Sequence, residues 1–455
     1  MKTQIAGDLL AGSVAPLILR IAMPSMAAML ASSLCTLADA LLLSRGSTPL
    51  SAAVSVSFSL LTLIQTLGFT LGMGAGSFVS RSLGRGDKPS AYAVASTAFF
   101  AALALSVLLC APGALLAAPL VCLLGSPEDI VPSAAAYARY VLASGPLLCA
   151  SLVLSSLLRA QGKTAPNMLA FVAGAAVGIP LEFLLVRGLN LGVHGGGVSM
   201  LASESVTLAI LIAAALRDKH LVRPRLRGIA LRLRVWRDIM RSGLPTLLRQ
   251  GLMSVSSILL TRVSASFGAS ALAGMGLCVR AAALVASAVI GFGQGFQPVC
   301  GFCFGAGKYS RVRKAFWFCV KVSTVILLVL GCSALLCAEP IVTLFRRDDP
   351  EVIRIGTLAL QLQLCTLPLW GYITMSNMFT QSIGYGVRAT LISTARQGLF
   401  LIPALLVLPP ALGLLGIQAA QPVADALSFL FSLAVVSGIL RQLRKTPDKE
   451  APAGA

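Results

Sequence analysis

Twelve long apolar segments constrain this chain more than any other feature of its sequence. Each segment holds about 20 or more mainly apolar residues, the length that an α-helix needs to cross the roughly 30 Å hydrocarbon core of a bilayer. The segments cover residues 15–43, 51–80, 91–117, 133–158, 165–187, 195–216, 244–267, 269–300, 315–338, 352–380, 388–411 and 413–440. They lack the alternation of polar and apolar residues that indicates strands, and an open sheet in lipid would leave backbone groups unpaired. We therefore predict an all-α integral membrane protein.

The composition agrees with this fold class. Of the 455 residues, 57% are hydrophobic and only 11% are charged, and the mean hydropathy is +0.88. Soluble globular chains carry about 25% charged residues. A chain with so few charges has more apolar surface than its own core can bury, so it needs an apolar surrounding such as a lipid bilayer. The first apolar stretch, residues 14–43, is too long for a cleavable signal peptide, so we expect it to remain as a span.

Lysine and arginine concentrate in the loops after even-numbered spans and in the C-terminal tail. The segment 217–241 alone holds nine of them, against Asp218 and Asp238. By the positive-inside rule, both termini and this segment face the cytoplasm of a cell membrane. The formal net charge of +20 is then a signal of topology, and nucleic acid is not an expected partner. Contact of the segment with anionic lipid headgroups is an alternative role for the same charges.

The two halves of the chain repeat each other at a spacing of 221 to 223 residues. The matching pairs include Pro24 and Pro245, Gly162 and Gly384, and Pro180 and Pro403. Each half holds six spans, so both halves start on the same side, and a pseudo-two-fold axis along the membrane normal relates them. We predict a six-helix lobe over 1–216, a basic cytoplasmic linker over 217–242, and a second six-helix lobe with a short tail over 243–455. This architecture places a cavity between two lobes that rock to give alternating access.

Asp39 and Glu182 are carboxylates inside otherwise apolar spans of the first half. A charge near the bilayer centre costs at least about 2.5–3.5 kcal/mol, so such residues persist mainly where they carry ions, protons or substrate. The positions that match them in the second half, Leu260 and a residue near Ala404, are apolar. Asp39 and Glu182 each follow a basic residue of the inner boundary by 19 residues, which places both in the outer half of the bilayer. We predict that they bind the coupling cation, a proton or a sodium ion.

Two further acids lie in spans, and they match each other across the repeat. Glu204 is in the sixth span and Asp425 is in the twelfth. Glu204 could complete the cation site or face a cationic substrate, and Asp425 could line the substrate cavity. The alternative for either acid is an ion pair with an intramembrane base, Arg280 or Arg396.

Prolines and glutamines inside the spans supply further candidates. Pro24 and Pro180 each remove a backbone donor and can bend a helix, so we predict that they act as hinges. Gln250 and Gln294 lie in spans of the second half. They could line a polar substrate cavity or hydrogen-bond neighbouring helices. Pairs of glycines four residues apart, such as Gly174 with Gly178, predict close helix packing.

No motif indicates an enzyme or a resident cofactor. Cys300-x-x-Cys303 resembles half a zinc site, but the only histidines are His194 and His220, and His194 is expected on the opposite side of the membrane. We expect the two cysteines to pack as small hydrophobes. The run Gly305–Lys308 lacks the glycine and hydroxyl residue of a phosphate-binding loop. Transport by this chain would therefore depend on an ion gradient.

Several short motifs resemble those of the multidrug and toxic compound extrusion (MATE) family, and the resemblance extends over nearly all of the chain. They are Ala22-Met-Pro24, Leu37-Ala-Asp39, Gly74-Ala-Gly-Ser77 with Ser80-Arg-Ser-Leu-Gly84, Leu158-Arg-Ala-Gln-Gly162, Gln297-Pro298 with Phe304-Gly-Ala-Gly-Lys308, and Pro422-Val-Ala-Asp425. The resemblance implies twelve helices in two lobes and drug export driven by proton or sodium entry. It also implies a cation site in the first lobe at Asp39 and Glu182, lined by Tyr137.

The chain departs from the family pattern around this site. Gly178 stands where many relatives have an asparagine, and Met200 stands where they have a hydroxyl residue, with Ser199 and Ser203 beside it. A sodium ion needs several oxygen ligands, whereas a proton needs one titratable acid. The loss of neutral ligands therefore favours protons, with Glu204 as a compensating acid.

The function that this resemblance implies is secondary antiport. The expected substrates are amphipathic, often cationic, small molecules such as drugs and other xenobiotics. The expected partners are these substrates and the bilayer, and not nucleic acid, and we expect the chain to act as a monomer without a cofactor. Two alternatives remain: a flippase for lipid-linked precursors of the same superfamily, which would want a basic cavity, and a membrane-embedded enzyme or scaffold.

Overall fold

The structure, a computed structural model, is helical throughout the part of the chain that it describes. It describes the backbone of residues 12–44, 48–123, 128–218, 221–230, 232–336, 338–345 and 350–449; the side chains of residues 35–57 and of a few single positions lie outside this description. Twelve long helical segments follow one another. They are α1 Val14–Ser44, α2 Thr48–Gly84, α3 Lys88–Leu115, α4 Val131–Ala160, α5 Thr164–Phe183, α6 Gly192–Arg217, α7 Leu233–Ala265, α8 Ala269–Gly305, α9 Tyr309–Leu336, α10 Pro350–Ser382, α11 Gly386–Leu412 and α12 Leu414–Lys445. The predicted all-α membrane fold is therefore confirmed.

The seventh helix differs from the others in composition. Within the described ranges, eleven helices are long and apolar enough to cross a membrane, and α7 is the one that is not among them. It carries five arginines, at positions 234, 237, 241, 249 and 262. The helix also begins at Leu233, inside the segment that we predicted as a linker, because its first turns are amphipathic and pack at the basic end of the bundle. The domain boundaries at 216 and 242 stay a prediction.

The backbone repeats as the sequence predicts. Gly86 and Gly307, which match across the repeat, have φ angles of 80° and 75°. Gly162 and Gly384 have φ angles of 77° and 83°. These left-handed conformations, which glycine adopts without steric cost, close the same turns in each half. The fold is two six-helix lobes related by a pseudo-two-fold axis along the membrane normal.

Reciprocal contacts join the two lobes at the end that carries the basic loops. Gly74 of α2 packs directly on Gly243 of α7. The matching residues, Gly295 of α8 and Ala22 of α1, pack on each other in the same way. A larger side chain at either glycine would meet backbone atoms of the other lobe. The small residues of the sequence motifs therefore let the two lobes approach backbone to backbone.

The pseudo-two-fold axis can be located from one contact. Ser80 of α2 and Gly301 of α8 occupy matching positions of the repeat, and the Ser80 hydroxyl reaches the space beside Gly301. Two matching residues touch only where the axis passes between them. The axis therefore runs between α2 and α8 at this end of the bundle.

The cap at the start of the third helix of each lobe breaks the repeat. In the first lobe, Asp87 accepts a hydrogen bond from the backbone N–H of Ser90 at 3.2 Å, and the hydrogen bonds from Ser90 lower the pKa of Asp87. The matching residue of the second lobe is Lys308, which cannot accept. There Asp448, from the tail after α12, accepts from the Ser310 N–H at 2.9 Å. The tail thus supplies a helix cap that the second lobe does not have at the matching position.

Candidate functional site

A cavity that faces several of the predicted site residues lies inside the first lobe. It has a volume of about 180 Å³ and is lined by residues of α1, α2, α4, α5 and α6. Glu182 of α5, Glu204 of α6 and Tyr137 of α4 all face it. Tyr137 lies near the start of α4, Glu182 near the end of α5 and Gly196 near the start of α6, so the cavity occupies the half of the lobe away from the basic loops. The structure therefore places three of the predicted cation-site residues around one space.

Close packing of α5 on α6 brings the two acids to this cavity. Gly174 sits against the Thr207 hydroxyl, and a Cβ at Gly178 would lie 3.0 Å from the Cβ of Ser203. The Ser203 hydroxyl donates to the carbonyl of Gly174 at 2.9 Å. Small residues on one helix and hydroxyl residues on the other are the usual means of close helix approach in a bilayer. The departure from the family pattern at Gly178 therefore has a structural counterpart in Ser203.

Gly174→Ala is expected to lower both the thermal stability and the export activity of the protein. The added methyl group would collide with Thr207, so α5 must shift away from α6, and overpacking of this kind costs about 1–3 kcal/mol. Gly251→Ala on α7 is the matched control, because no atom lies within 4 Å of a Cβ built there. Thermal unfolding in detergent would measure the difference. Equal unfolding temperatures for the two variants would contradict the packing argument.

Glu182 lies at a local change of helix type. Its side chain is 2% exposed. Pro180 is inside α5, and from Leu184 to Gly188 the α-helix continues as a π-helix. Such π-helical turns are rare and occur frequently at functional sites. The predicted bend at Pro180 thus coincides with an irregular helix segment directly beside the acid, while the role of Pro180 as a hinge stays a prediction.

Glu204 faces the cavity with one buried acid oxygen. Its Oε2 atom is buried, and no group among the described residues hydrogen-bonds to it. The neighbouring hydroxyls of Ser199 and Ser203 donate to backbone carbonyls of Gly196 and Gly174, at 2.8 and 2.9 Å. The protons of these two serine hydroxyls are therefore bound to carbonyls, and only the oxygen lone pairs of the two serines remain available to the cavity. A buried acid oxygen without a donor favours binding of a proton or a cation.

The side chain of Asp39 lies outside the described residues. The backbone at this position belongs to α1, and Ser32 of the same helix lines the cavity. The helix that carries Asp39 therefore borders the same cavity as Glu182 and Glu204. The role of Asp39 in the cation site stays a prediction.

The second-half candidates lie elsewhere. Asp425 is 2% exposed and forms an ion pair with Arg396 of α11, with Nε–Oδ1 at 2.6 Å, and it also accepts from Gln421 at 3.0 Å. This is the ion-pair alternative that the sequence left open, so Asp425 presents no free negative charge. Gln294 lines a small cavity of about 20 Å³ at the contact between the lobes, and Gln250 lines neither of these two cavities.

Cys300 and Cys303 are buried in the apolar core of the second lobe. Among the residues that the structure describes, no group of three or more His, Cys, Asp or Glu side chains could hold a metal ion.

Sequence reasoning missed the role of Arg81. This arginine, 7% exposed at the end of α2, donates to the carbonyls of Gln381 and Ser382 at 3.2 and 2.8 Å and to the Ser242 hydroxyl at 3.1 Å. All three acceptors belong to the second lobe. In the sequence, Arg81 is one of the basic residues that follow an even-numbered span and indicate topology. Two features of the sequence could have indicated this role. Arg81 lies inside a motif that resembles the family pattern, and its matching residue in the second half, Phe302, is uncharged.

Comparisons with known proteins agree with this architecture. The MatE family model matches residues 24–184 and again residues 245–406. The multidrug export protein MepA of Staphylococcus haemolyticus is 23% identical over 398 residues, which cover 88% of this chain and 87% of that protein. The crystal structure of a MATE protein in complex with MaL6 is 25% identical, with a TM-score of 0.91 over 96% of this chain and 99% of that one.

A further similar structure is that of a MOP superfamily transporter from Pyrococcus furiosus. It is 25% identical and has a TM-score of 0.90, and the comparison covers 96% of this chain and 98% of that one. For that protein, a reverse polarity of the binding pocket suggests a different function. The same fold therefore accommodates pockets of different charge.

Proposed function

Because the chain belongs to the MATE family, we propose that it exports amphipathic, often cationic, small molecules across the cell membrane in exchange for protons. It is a multi-pass membrane transporter of small molecules and not an enzyme. Its MepA relatives are multidrug export proteins, which supports drugs and similar compounds as substrates. In this proposal the protein acts as a monomer with both termini in the cytoplasm.

The observation that carries the proposal is the cavity with Glu182 and Glu204. Buried Glu182 and Glu204, whose Oε2 atom is buried, face one space within a single lobe, away from the contact between the lobes. A negative charge in an apolar region is costly, and binding of a proton or a cation lowers that cost. Binding of a proton would remove one charge and change the preferred arrangement of the surrounding helices. A site of this kind couples ion entry to a conformational change.

The ligands around the cavity favour protons over sodium. Gly178 and Met200 supply no side-chain oxygen to a metal ion. A sodium ion would depend on two carboxyl groups and a few lone pairs. A proton needs only one of the acids.

Alternating access would use the two lobes as units. The lobes touch at the end with the basic loops, which the positive-inside rule assigns to the cytoplasm. The described arrangement would then be closed toward the cytoplasm. A change at the π-helical segment after Pro180 would relay protonation of Glu182 to the packing of α5 on its neighbours.

The flippase alternative is less consistent with the first-lobe cavity. A lipid-linked precursor presents a pyrophosphate, which requires basic groups around the binding space. The described cavity is lined by acids, hydroxyls and apolar side chains.

Efflux of a cationic dye from proteoliposomes under separately imposed gradients tests the proposal. We expect a proton gradient to drive dye transport and a sodium gradient of equal size, at equal pH on both sides, to drive none. Transport under sodium alone would contradict proton coupling. No transport under either gradient would contradict export of cationic compounds.

A further inference from the structure

The chain between α6 and the first turn of α7, called the joining segment here (residues 221–234), is bound to the first lobe. Gln161, directly after α4, accepts a hydrogen bond from the Val222 N–H at 2.6 Å and donates one to the Val222 carbonyl at 3.0 Å. The Tyr92 hydroxyl of α3 donates to the Leu221 carbonyl at 3.3 Å, and the side chains of Leu221 and Val222 are buried. The segment predicted as a linker therefore begins as a fixed part of the first lobe.

The joining segment continues along the side of α3. The Ser96 hydroxyl accepts a hydrogen bond from the Arg225 N–H at 3.0 Å, and the Thr97 hydroxyl accepts one from the Ala230 N–H at 3.0 Å. Gly228 lies so close to Ser96 that a Cβ built on the glycine would be 2.6 Å from the serine hydroxyl oxygen. Two neighbouring residues of α3 thus hold both ends of this stretch.

These contacts place the joining segment at the depth of the lipid headgroups. Leu115, the last residue of α3, lies 19 residues beyond Ser96, which is a rise of about 28 Å at about 1.5 Å per residue. The hydrocarbon core is about 30 Å thick, so Ser96 lies near one edge of the core when Leu115 lies near the other. Irregular backbone at this depth needs hydrogen-bond partners, which Ser96 and Thr97 supply.

The outer surface of the joining segment combines exposed apolar side chains with positive charges. Leu226, Ile229 and Leu233 are 71%, 38% and 84% exposed. Residues 221–234 include no acidic residue and five arginines, at positions 223, 225, 227, 232 and 234, of which all but the first are exposed. Apolar side chains beside a run of basic ones are typical of segments that lie in the interface of an anionic membrane.

A role in topology alone accounts for only part of this surface. The positive-inside rule requires basic residues but gives no reason to expose large apolar side chains such as Leu226 and Leu233. Exposure of both leucines to water is unfavourable, whereas contact with lipid removes their apolar surface from water. A phosphate-bearing lipid therefore satisfies the apolar and the charged side chains together.

We propose that the joining segment binds anionic phospholipids, with Arg227 and Arg234 at the headgroup phosphates and with Leu226 and Leu233 in the upper acyl region. This binding site is separate from the first-lobe cavity and does not depend on the exported substrate or on the coupling ion. Its assignment to the inner leaflet follows from the proposed orientation of the basic end.

Quenching of a tryptophan by brominated lipids tests this contact in the full chain. The reporter is Leu226→Trp, combined with Trp236→Phe, Trp317→Phe and Trp370→Phe. It is placed in nanodiscs that mix phosphatidylglycerol with phosphatidylcholine, and only one of the two lipids carries bromine on its acyl chains. Both brominated lipids should quench the reporter. A series of lipid ratios then gives the association constant of phosphatidylglycerol relative to phosphatidylcholine, which we expect to be well above one.

Two pairs of charge-removing variants locate the preference. Arg227→Gln with Arg234→Gln should lower the relative association constant at least about fivefold, because each arginine near an anionic surface adds to binding. The matched control is Arg85→Gln with Arg388→Gln, two exposed arginines of the same end outside the joining segment, and it should leave the constant nearly unchanged. Arg227→Lys with Arg234→Lys keeps both charges and should keep most of the preference.

Three results would overturn the proposal. Absence of quenching by either brominated lipid would show that the joining segment faces water, where a soluble partner is the alternative. Quenching by both lipids in proportion to their amounts would show an apolar contact without selection of anionic lipid. An equal loss of preference in the control pair would assign the effect to the overall charge of this end. Thermal unfolding of each variant in detergent verifies that the fold is intact, since the replaced arginines are exposed.

Discussion

Glu182→Gln and Asp39→Asn are each expected to abolish gradient-driven export while the protein still inserts and still binds substrate. The Gln and Asn side chains keep the size of the acids but cannot lose or gain a proton at neutral pH. Glu182 is 2% exposed and lines the first-lobe cavity beside the π-helical end of α5, so its neutralisation should uncouple proton entry from helix movement. We expect transport to fall at least about tenfold, to the level of empty liposomes, since the coupled step is lost as a whole.

Two controls define this result. Glu351→Gln is the same isosteric change at an exposed position of α10 and should leave transport unchanged. Substrate binding measured without a gradient should be retained in Glu182→Gln and Asp39→Asn. If both of these variants exported at the normal rate, the coupling site would lie elsewhere, and Glu204, which faces the same cavity, would be the next residue to test.

Arg81→Met should shift the protein away from the arrangement in which the lobes meet at the basic end. Arg81 makes three hydrogen bonds to groups of the second lobe from a buried position. Hydrogen bonds to charged groups contribute about 1.5–3 kcal/mol each, so the loss of all three should reduce this closed arrangement at least about tenfold. Gln381, whose side chain donates to the Ser242 carbonyl at 2.8 Å, would retain only part of the contact.

Pulsed EPR between spin labels on the two lobes measures this shift. Lys88 of α3 and Arg388 of α11 are exposed at the basic end of their lobes and can be replaced by labelled cysteines, after removal of the exposed native cysteines. The distance distribution should broaden toward longer distances in Arg81→Met. Arg85→Met, an exposed arginine of the same segment, should leave it unchanged. An unaltered distribution in Arg81→Met would show that the glycine contacts alone hold the lobes together.

The opposite polarity of the two lobes bears on how such a transporter could select substrates. In the first lobe, Glu204 faces a cavity with a buried oxygen that has no described hydrogen-bond donor. In the second lobe, the matching acid is bound by Arg396. Matching positions of the duplicated fold thus carry an acid with different surroundings in the two lobes. Substitution at a few positions of one repeat is sufficient for this difference.

The helices and their symmetry could be predicted from the sequence because they depend on local properties. Apolar segments of about 20 residues must be helical in a bilayer, where every backbone group needs an internal partner. The repeat is recognisable from matched prolines and glycines, and glycines such as Gly86 and Gly307 adopt the same backbone conformation in both halves. Where charges interrupt the apolar pattern, as in α7, the helix extends beyond the predicted span, since it begins at Leu233 and the span was predicted from residue 244.

The pairing of side chains across helices was decided only by the tertiary structure. The sequence identified Asp425 and Arg396 as two charged residues in spans but left open whether they meet, because a turn of one helix or a π-helical residue changes which side chains face each other. Arg81 reads in sequence as one more basic residue at a loop, and only the approach of the lobes places carbonyls of Gln381 and Ser382 around it. Local composition determines which segments enter the membrane, whereas the charge of a site depends on contacts between residues hundreds of positions apart.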